Sequence, residues 1–125
     1  MKTLILMIAM MASTSLRTTN LAAVTKALSE GDATALNAFL DTTVELTLLD
    51  KQNVYDKSQA TSALRDFFSR NKPRSFNAVH QGTSRGNTSH YTIGDMGTAS
   101  GNYRVYLYYK SNGGSVLIQE IRIEK

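Results

Sequence analysis

The chain has 125 residues, 42% of them hydrophobic and 19% charged, with a formal net charge of +4. That length holds one domain with one modest core, and the composition excludes fibrous and intrinsically disordered classes. The basic residues are scattered rather than blocked, which excludes the clustered basic face of a nucleic-acid binder; the absence of cysteine excludes disulfides, thiol nucleophiles and zinc–thiolate sites.

The opening stretch "MKTLILMIAMMASTS" places one basic residue, Lys2, before nine apolar residues from Leu4 to Ala12, with small polar ones after them. This is the layout of a secretory signal peptide, and nine apolar residues fall far short of the roughly 20 that span a bilayer as a helix. Cleavage near Ser15 puts Ser13 and Ser15 at the two small-residue positions, so residues 1–15 are expected to be a leader and residues 16–125 a single domain. The expected location is periplasmic or secreted, with no stable membrane span. Four of the five methionines lie between Met1 and Met11, which marks the stretch as foreign to the remainder of the chain.

Beyond the expected leader the first patterned stretch is "LAAVTKALSEGD", apolar at helical spacing and stopped by Gly31. Asp32 then caps a second helix, "ATALNAFLD", with Leu36, Phe39 and Leu40 inward. "TVELTLLD" alternates as a strand, and "DKQN" reads as a polar turn. In "DKSQATSALRDFFSRN", Asp56 and Gln59 have capping-box spacing ahead of Ala60, Ala63, Leu64, Phe67 and Phe68, and Pro73 ends the helix. From Arg74 onward the pattern is strands and turns: "SFNAVHQGTS", "SHYTIGDMGTAS", "NYRVYLYYKS" and "SVLIQEIRIEK", separated by "RGN", "SGN" and "NGG". Helices and then an antiparallel meander give an α+β fold: three N-terminal helices packed on a strongly bent antiparallel sheet.

Placing the last turn at Asn112–Gly113 sets Ser111 opposite Gly114. Tyr103, Val105, Leu107 and Tyr109 then share a face with Val116 and Ile118. Tyr106 and Tyr108 take the other face with Arg104 and Lys110, where an outward aromatic pair points to a protein interface. The apolar phase of the final strand switches between Ile118 and Ile121, so a β-bulge is expected near Gln119–Glu120.

"VELTLLDKQNVYDKSQA", "LRDFFSRN", "SFNAVHQGTS" and "YRVYLYYKSNGG…LIQEIRIEK" together resemble the exported bacterial family known as domain of unknown function 4783, over residues 21 to 125. The element order resembles the nuclear transport factor 2-like, or cystatin-like, superfamily. That resemblance implies a cone-shaped fold with a pocket between the concave sheet face and the helices, and a homodimer. The isomerases of the superfamily use a tyrosine in the first helix and two pocket aspartates; residues 19 to 40 here contain no tyrosine.

Only two histidines occur, His80 and His90. A three-residue turn at "RGN" would put both on one sheet face and a two-residue turn on opposite faces. Two are fewer than the three protein ligands of a catalytic zinc, so no metal and no cofactor are expected. Alternation along "FNAVHQG" sets His80 beside Phe76 and Ala78, and if that face lines the pocket His80 is the candidate general base. The reading is therefore a non-catalytic exported domain that binds a small ligand or a partner protein through the cone pocket or the sheet face. Phe76, His80, Tyr103 and Tyr109 are its ligand-binding candidates, and Tyr106 and Tyr108 its interface candidates. The alternative is a small pocket enzyme of isomerase or dehydratase type working through His80.

Overall fold

The computed structural model describes residues 20–83, 88–112 and 115–125. The expected leader with its cleavage site at Ser15, the turn at residues 85–87 and the two glycines of the "NGG" turn lie outside the described residues.

Helix α1 (Asn20–Glu30) buries Val24, Ala27 and Leu28 on one face. It ends in a Schellman motif: the Asp32 N–H donates to the Ala27 carbonyl at 2.8 Å and the Gly31 N–H to the Leu28 carbonyl at 3.3 Å, with Gly31 at φ +67. Asp32 then caps α2 (Ala33–Asn37), its Oδ1 accepting from the Ala35 N–H at 3.0 Å. The second helix is shorter than its apolar spacing predicts. Leu40 already belongs to strand β1 (Leu40–Leu48), because the Phe39 carbonyl accepts from the Ile118 N–H at 2.7 Å and draws the chain into the sheet.

Strand β2 (Lys51–Asp56) is the element that the sequence reading lacks. "DKQN" is not a loop beyond Asp50: Lys51, Gln52 and Asn53 pair with Leu48, Thr47 and Leu46. Helix α3 (Lys57–Arg70) starts with the complete capping box of Asp56 and Gln59 and buries Ala60, Thr61, Leu64, Phe67 and Phe68. Strands β3 (Pro73–Thr83), β4 (Ser89–Thr98), β5 (Gly101–Asn112) and β6 (Ser115–Glu124) complete the chain.

The strands form a curved sheet in the order β2-β1-β6-β5-β4-β3. Among the described residues β1 runs parallel to β6, and the other pairings are antiparallel. Helix α1 lies against β3, β4 and β6, α3 lies against β1 and β2, and α2 packs on α1 and α3. Ser111 pairs with Val116 rather than with Gly114, since Asn112 still sits in the ladder opposite Ser115. That displacement is two residues along the ladder, so every side chain keeps its expected face.

The bulge in β6 is present. Tyr109 pairs with Ile118 and Tyr108 with Glu120, which leaves Gln119 as the extra residue. Val116, Ile118, Ile121 and Ile123 thereby all reach the core. A second bulge lies in β3: Ala78 pairs with Gly94 and His80 with Ile93, so Val79 is supernumerary.

Candidate functional site

The bulge at Val79 decides the position of His80. Phe76 and Ala78 stand opposite Met96 and Gly94 on the concave face, whereas His80 stands opposite Ile93 on the outer face and is exposed to solvent. The expectation that His80 shares a face with Phe76 is therefore corrected: one extra residue reverses the alternation between them. His90 lies on the concave face, where its ring stacks on Tyr109 with centroids 5.5 Å apart and its Nδ1 is 3.1 Å from Thr83 Oγ1. The two histidines are on opposite faces of the sheet.

Tyr103 and Tyr109 are core residues, 4% and 7% exposed. The Tyr103 hydroxyl donates to Asn71 Oδ1 at 2.9 Å, and its ring meets Phe67 edge-on. The Tyr109 hydroxyl is 3.1 Å from Thr92 Oγ1 in a buried pair. Phe76 is half-buried over Gly94, where an added Cβ would fall 2.4 Å from the ring. Phe76, Tyr103 and Tyr109 thus share the concave side, with the tyrosines packed into the core and His80 behind the sheet.

The outer face carries the larger constellation. Glu45 of β1 pairs with Glu120 of β6, Glu120 with Tyr108 of β5, and Tyr108 with Tyr91 of β4, so the four form one row across the sheet. The row continues to Gly82, which accommodates the Tyr91 ring: an added Cβ there would lie 2.4 Å from ring carbons. Glu45, Glu120, Tyr108 and Tyr91, with Ser89, His90, Tyr109 and Gln119, line a groove of about 440 Å³. Alternation sends the His90 and Tyr109 side chains to the opposite face, so the chemistry of the groove comes from two carboxylates, two phenol rings, a serine and an amide.

The groove sits where the sheet splays. Between the Leu40–Ile118 and Glu45–Glu120 pairings, residues 41–44 of β1 stand against Gln119 alone. Asp41 bridges this gap, its Oδ2 accepting from Gln119 Nε2 at 3.3 Å. The Thr42 backbone N–H, donating to Asp41 Oδ1 at 2.7 Å, holds the Asp41 carboxyl below its ordinary value of 3.8. The Gln119 amide, the Thr42 hydroxyl and Lys110 add to that effect against a smaller opposing contribution from burial. On the groove wall Glu45 accepts from Gln52 Nε2, and Glu120 lies 3.5 Å from the Arg122 guanidinium.

The adjoining row holds Thr47, Arg122, Tyr106, Ile93 and His80. Arg122 lies over the Tyr106 ring, 5.1 Å from its centroid, and is also 3.7 Å from Glu124. Tyr106 and Tyr108 both face outward and are half-buried. Among the described residues no group of three or more metal-ligating side chains is assembled. Glu45, Glu120 and Tyr91 are the site residues that sequence reading missed. Their meeting depends on a parallel pairing between strands at opposite ends of the chain, which no local pattern reveals.

No curated protein matches this chain. The family profile described as "Domain of unknown function (DUF4783)" matches residues 21–124. A crystal structure of a DUF4783 family protein from Bacteroides uniformis ATCC 8492 is 36% identical, with a TM-score of 0.76, covering 82% of this chain and 94% of that one. One from Bacteroides ovatus ATCC 8483 is 35% identical, with a TM-score of 0.77 over 83% of this chain and 93% of that one. A designed protein, "Rd1NTF2_04 with long sheet", shares the fold at 16% identity, with a TM-score of 0.66 over 83% of this chain and 95% of that one. With helices on one side of a curved sheet, a nuclear transport factor 2-like arrangement, the chain belongs to the DUF4783 family.

Proposed function

We propose that this protein is an exported domain that works by binding rather than by catalysis, and that its binding surface is the outer face of the sheet. One observation carries this reading. The concave side carries the buried core and a groove of about 300 Å³ between α1 and β3 beside Phe76, Ala78 and Gln81, whereas the outer face holds the larger groove of about 440 Å³ between Glu45, Glu120, Tyr108 and Tyr91. That volume lies within the range of small-ligand sites, roughly 300–1,000 Å³, and a few polar groups set among aromatic walls suit such a role. The enzyme alternative needs His80 beside a buried hydrogen-bond donor. His80 is instead exposed on one face while Tyr103 and Tyr109 are buried on the other.

The same face is the proposed contact for a second copy of the chain. Tyr106 and Ile93 present apolar area there, and Val54, 68% exposed, extends it towards the β2 edge. Export rests on the leader-like residues 1–15 and sets the periplasm or the cell exterior as the place of action.

The test is native mass spectrometry of the protein recovered from its own cell envelope without refolding. A dimer that begins near Leu16 and retains a small molecule supports all three parts. The Tyr91→Ala/Tyr108→Ala double variant is expected to lose the retained mass, and Tyr106→Asp to run as a monomer. A ligand that persists in the double variant places binding elsewhere. A wild-type monomer at micromolar concentration removes self-association, and retention of residues 1–15 removes cleavage of the leader.

A further inference from the structure

On the helical side of the molecule, α2 and α3 flank an open groove of about 360 Å³ lined by Asn37, Lys57, Ser58, Thr61, Ser62 and Arg65. Every lining side chain is polar, two are cationic and none is a carboxylate. Among the described residues neither Lys57 nor Arg65 has a carboxylate within ion-pair distance; the ion pairs lie elsewhere, on Arg70, Arg104 and Arg122. The side chains of Lys57, Ser58 and Ser62 take no partner among those residues.

The wall is fixed in place. Asn37 Nδ2 donates to Thr61 Oγ1 at 2.6 Å, Thr61 Oγ1 donates to the Lys57 carbonyl at 2.8 Å, and Arg65 Nη2 donates to Thr34 Oγ1 at 3.1 Å. Thr61 is buried, so the Asn37–Thr61 bond ties α2 to α3 where water competes little, and the Arg65–Thr34 bond joins the same helices at the surface. Ser58, Ser62 and Arg65 fall at i, i+4 and i+7 of α3 and project to one side. Two amides at the start of α3 are already taken by the cap: Asp56 Oδ1 accepts from the Gln59 N–H at 2.7 Å, and Gln59 Oε1 accepts from the Asp56 N–H at 3.2 Å.

We propose that this groove binds a phosphoryl or sulfo group carried by an organic molecule. Lys57 and Arg65 supply the charge, and Ser58 and Ser62 supply hydroxyl donors, more donors than the two oxygens of a carboxylate use and a match for three terminal oxygens. The groove is also larger than a free oxyanion, so part of the carrier molecule lies in it. This site is separate from the outer-face groove and does not depend on the function proposed for it.

The experiment is a titration of the ¹⁵N-labelled protein with glucose 6-phosphate and, separately, with phosphatidylcholine vesicles that do or do not contain phosphatidylglycerol. Saturable amide shifts confined to residues 34–37 and 57–65 on adding glucose 6-phosphate indicate a soluble phosphorylated ligand. Broadening of the same amides only by phosphatidylglycerol vesicles indicates a lipid headgroup. In either case Lys57→Gln and Arg65→Gln each weaken binding about tenfold, and the effect shrinks as salt is raised. Lys57→Gln removes no intramolecular side-chain hydrogen bond or ion pair and keeps most of the aliphatic stem, so it reads binding with little disturbance of the fold. Arg70→Gln, whose guanidinium pairs with Asp66 at 2.8 Å outside the groove, is expected to bind as the wild type does. The proposal is overturned if neither probe binds, if binding survives in the Lys57→Gln/Arg65→Gln double variant, or if Arg70→Gln weakens it equally.

Discussion

Replacing Tyr109 with phenylalanine removes one oxygen and little else. The ring remains stacked against His90, and its apolar neighbours keep their contacts. What changes is Thr92, whose side chain is 0% exposed and whose hydroxyl lies 3.1 Å from the Tyr109 oxygen. Left without that partner, a buried hydroxyl costs about 1–3 kcal/mol. The converse change, Thr92→Val, leaves the Tyr109 hydroxyl unpartnered on a side chain that is 7% exposed, so water reaches it more readily and the loss is smaller, about 1 kcal/mol. Making both changes removes the orphan and restores most of the stability, giving a favourable coupling of about 1 kcal/mol or more between the two sites. At this size each kcal/mol moves the Tm by roughly 3–5 °C. Thermal and urea unfolding monitored by circular dichroism therefore resolves the ordering: Tyr109→Phe lowest, the double variant above it. Tyr109→Phe at the wild-type midpoint, or a double variant whose loss equals the sum of the single losses, would refute the reasoning.

Three further outcomes are expected. The depressed pKa of Asp41 means that its ionised form stabilises the folded state at pH values above the ordinary 3.8, and that this contribution is lost as pH falls through the folded-state value. The Tm gap between wild type and Asp41→Asn is thus widest near neutral pH and closes below about pH 4; a gap that stays constant down to acid pH would contradict the assignment. Gly94→Ala puts a methyl group 2.4 Å from Phe76 Cζ and 2.7 Å from the Asn77 carbonyl oxygen, and lowers stability by about 1–3 kcal/mol by urea unfolding. Adding Phe76→Leu recovers only part, because the Asn77 backbone remains. Leu49 holds φ +60 in the β1–β2 turn with its side chain 45% exposed. Leu49→Gly relieves a left-handed strain of about 1–2 kcal/mol against an unfolded-state entropy cost of about 0.5–1, so its urea midpoint stays level or rises.

The parts of the fold legible in the sequence are those where burial writes a pattern. The Ile118-to-Ile121 phase switch marks the β6 bulge because both sides of it are strongly apolar. The capping box at Asp56 and Gln59 marks the start of α3 because the side chains that close it are close in sequence. The β3 bulge leaves no such mark. Beyond Val79 the concave positions are Gln81 and Thr83, polar residues at a sheet edge, so there is no apolar phase to switch. Strand β2 is hidden for the same reason: only Tyr55 packs against the core, and Lys51, Gln52, Asn53 and Val54 are exposed. His80 is misplaced through that unmarked bulge, and the Glu45–Glu120 pair escapes notice because it joins the first strand to the sixth.

That last pairing has a consequence for how the chain comes into being. Strand β6 is the latest of the six in sequence, yet it lies between β1 and β5 and carries Ile118, Ile121 and Ile123, all fully buried. Until residues from Ser115 onward are made, β1 and β2 have no partner linking them to the rest of the sheet, and the helices have only a divided surface to pack on. Native structure is thus withheld until β6 has been made, because the contacts that reward closure join β1 to β6 across the fold. A chain that has not yet reached β6 therefore lacks the strand that joins the two parts of the sheet. Stability arrives late and all at once, with the strand that seals the middle.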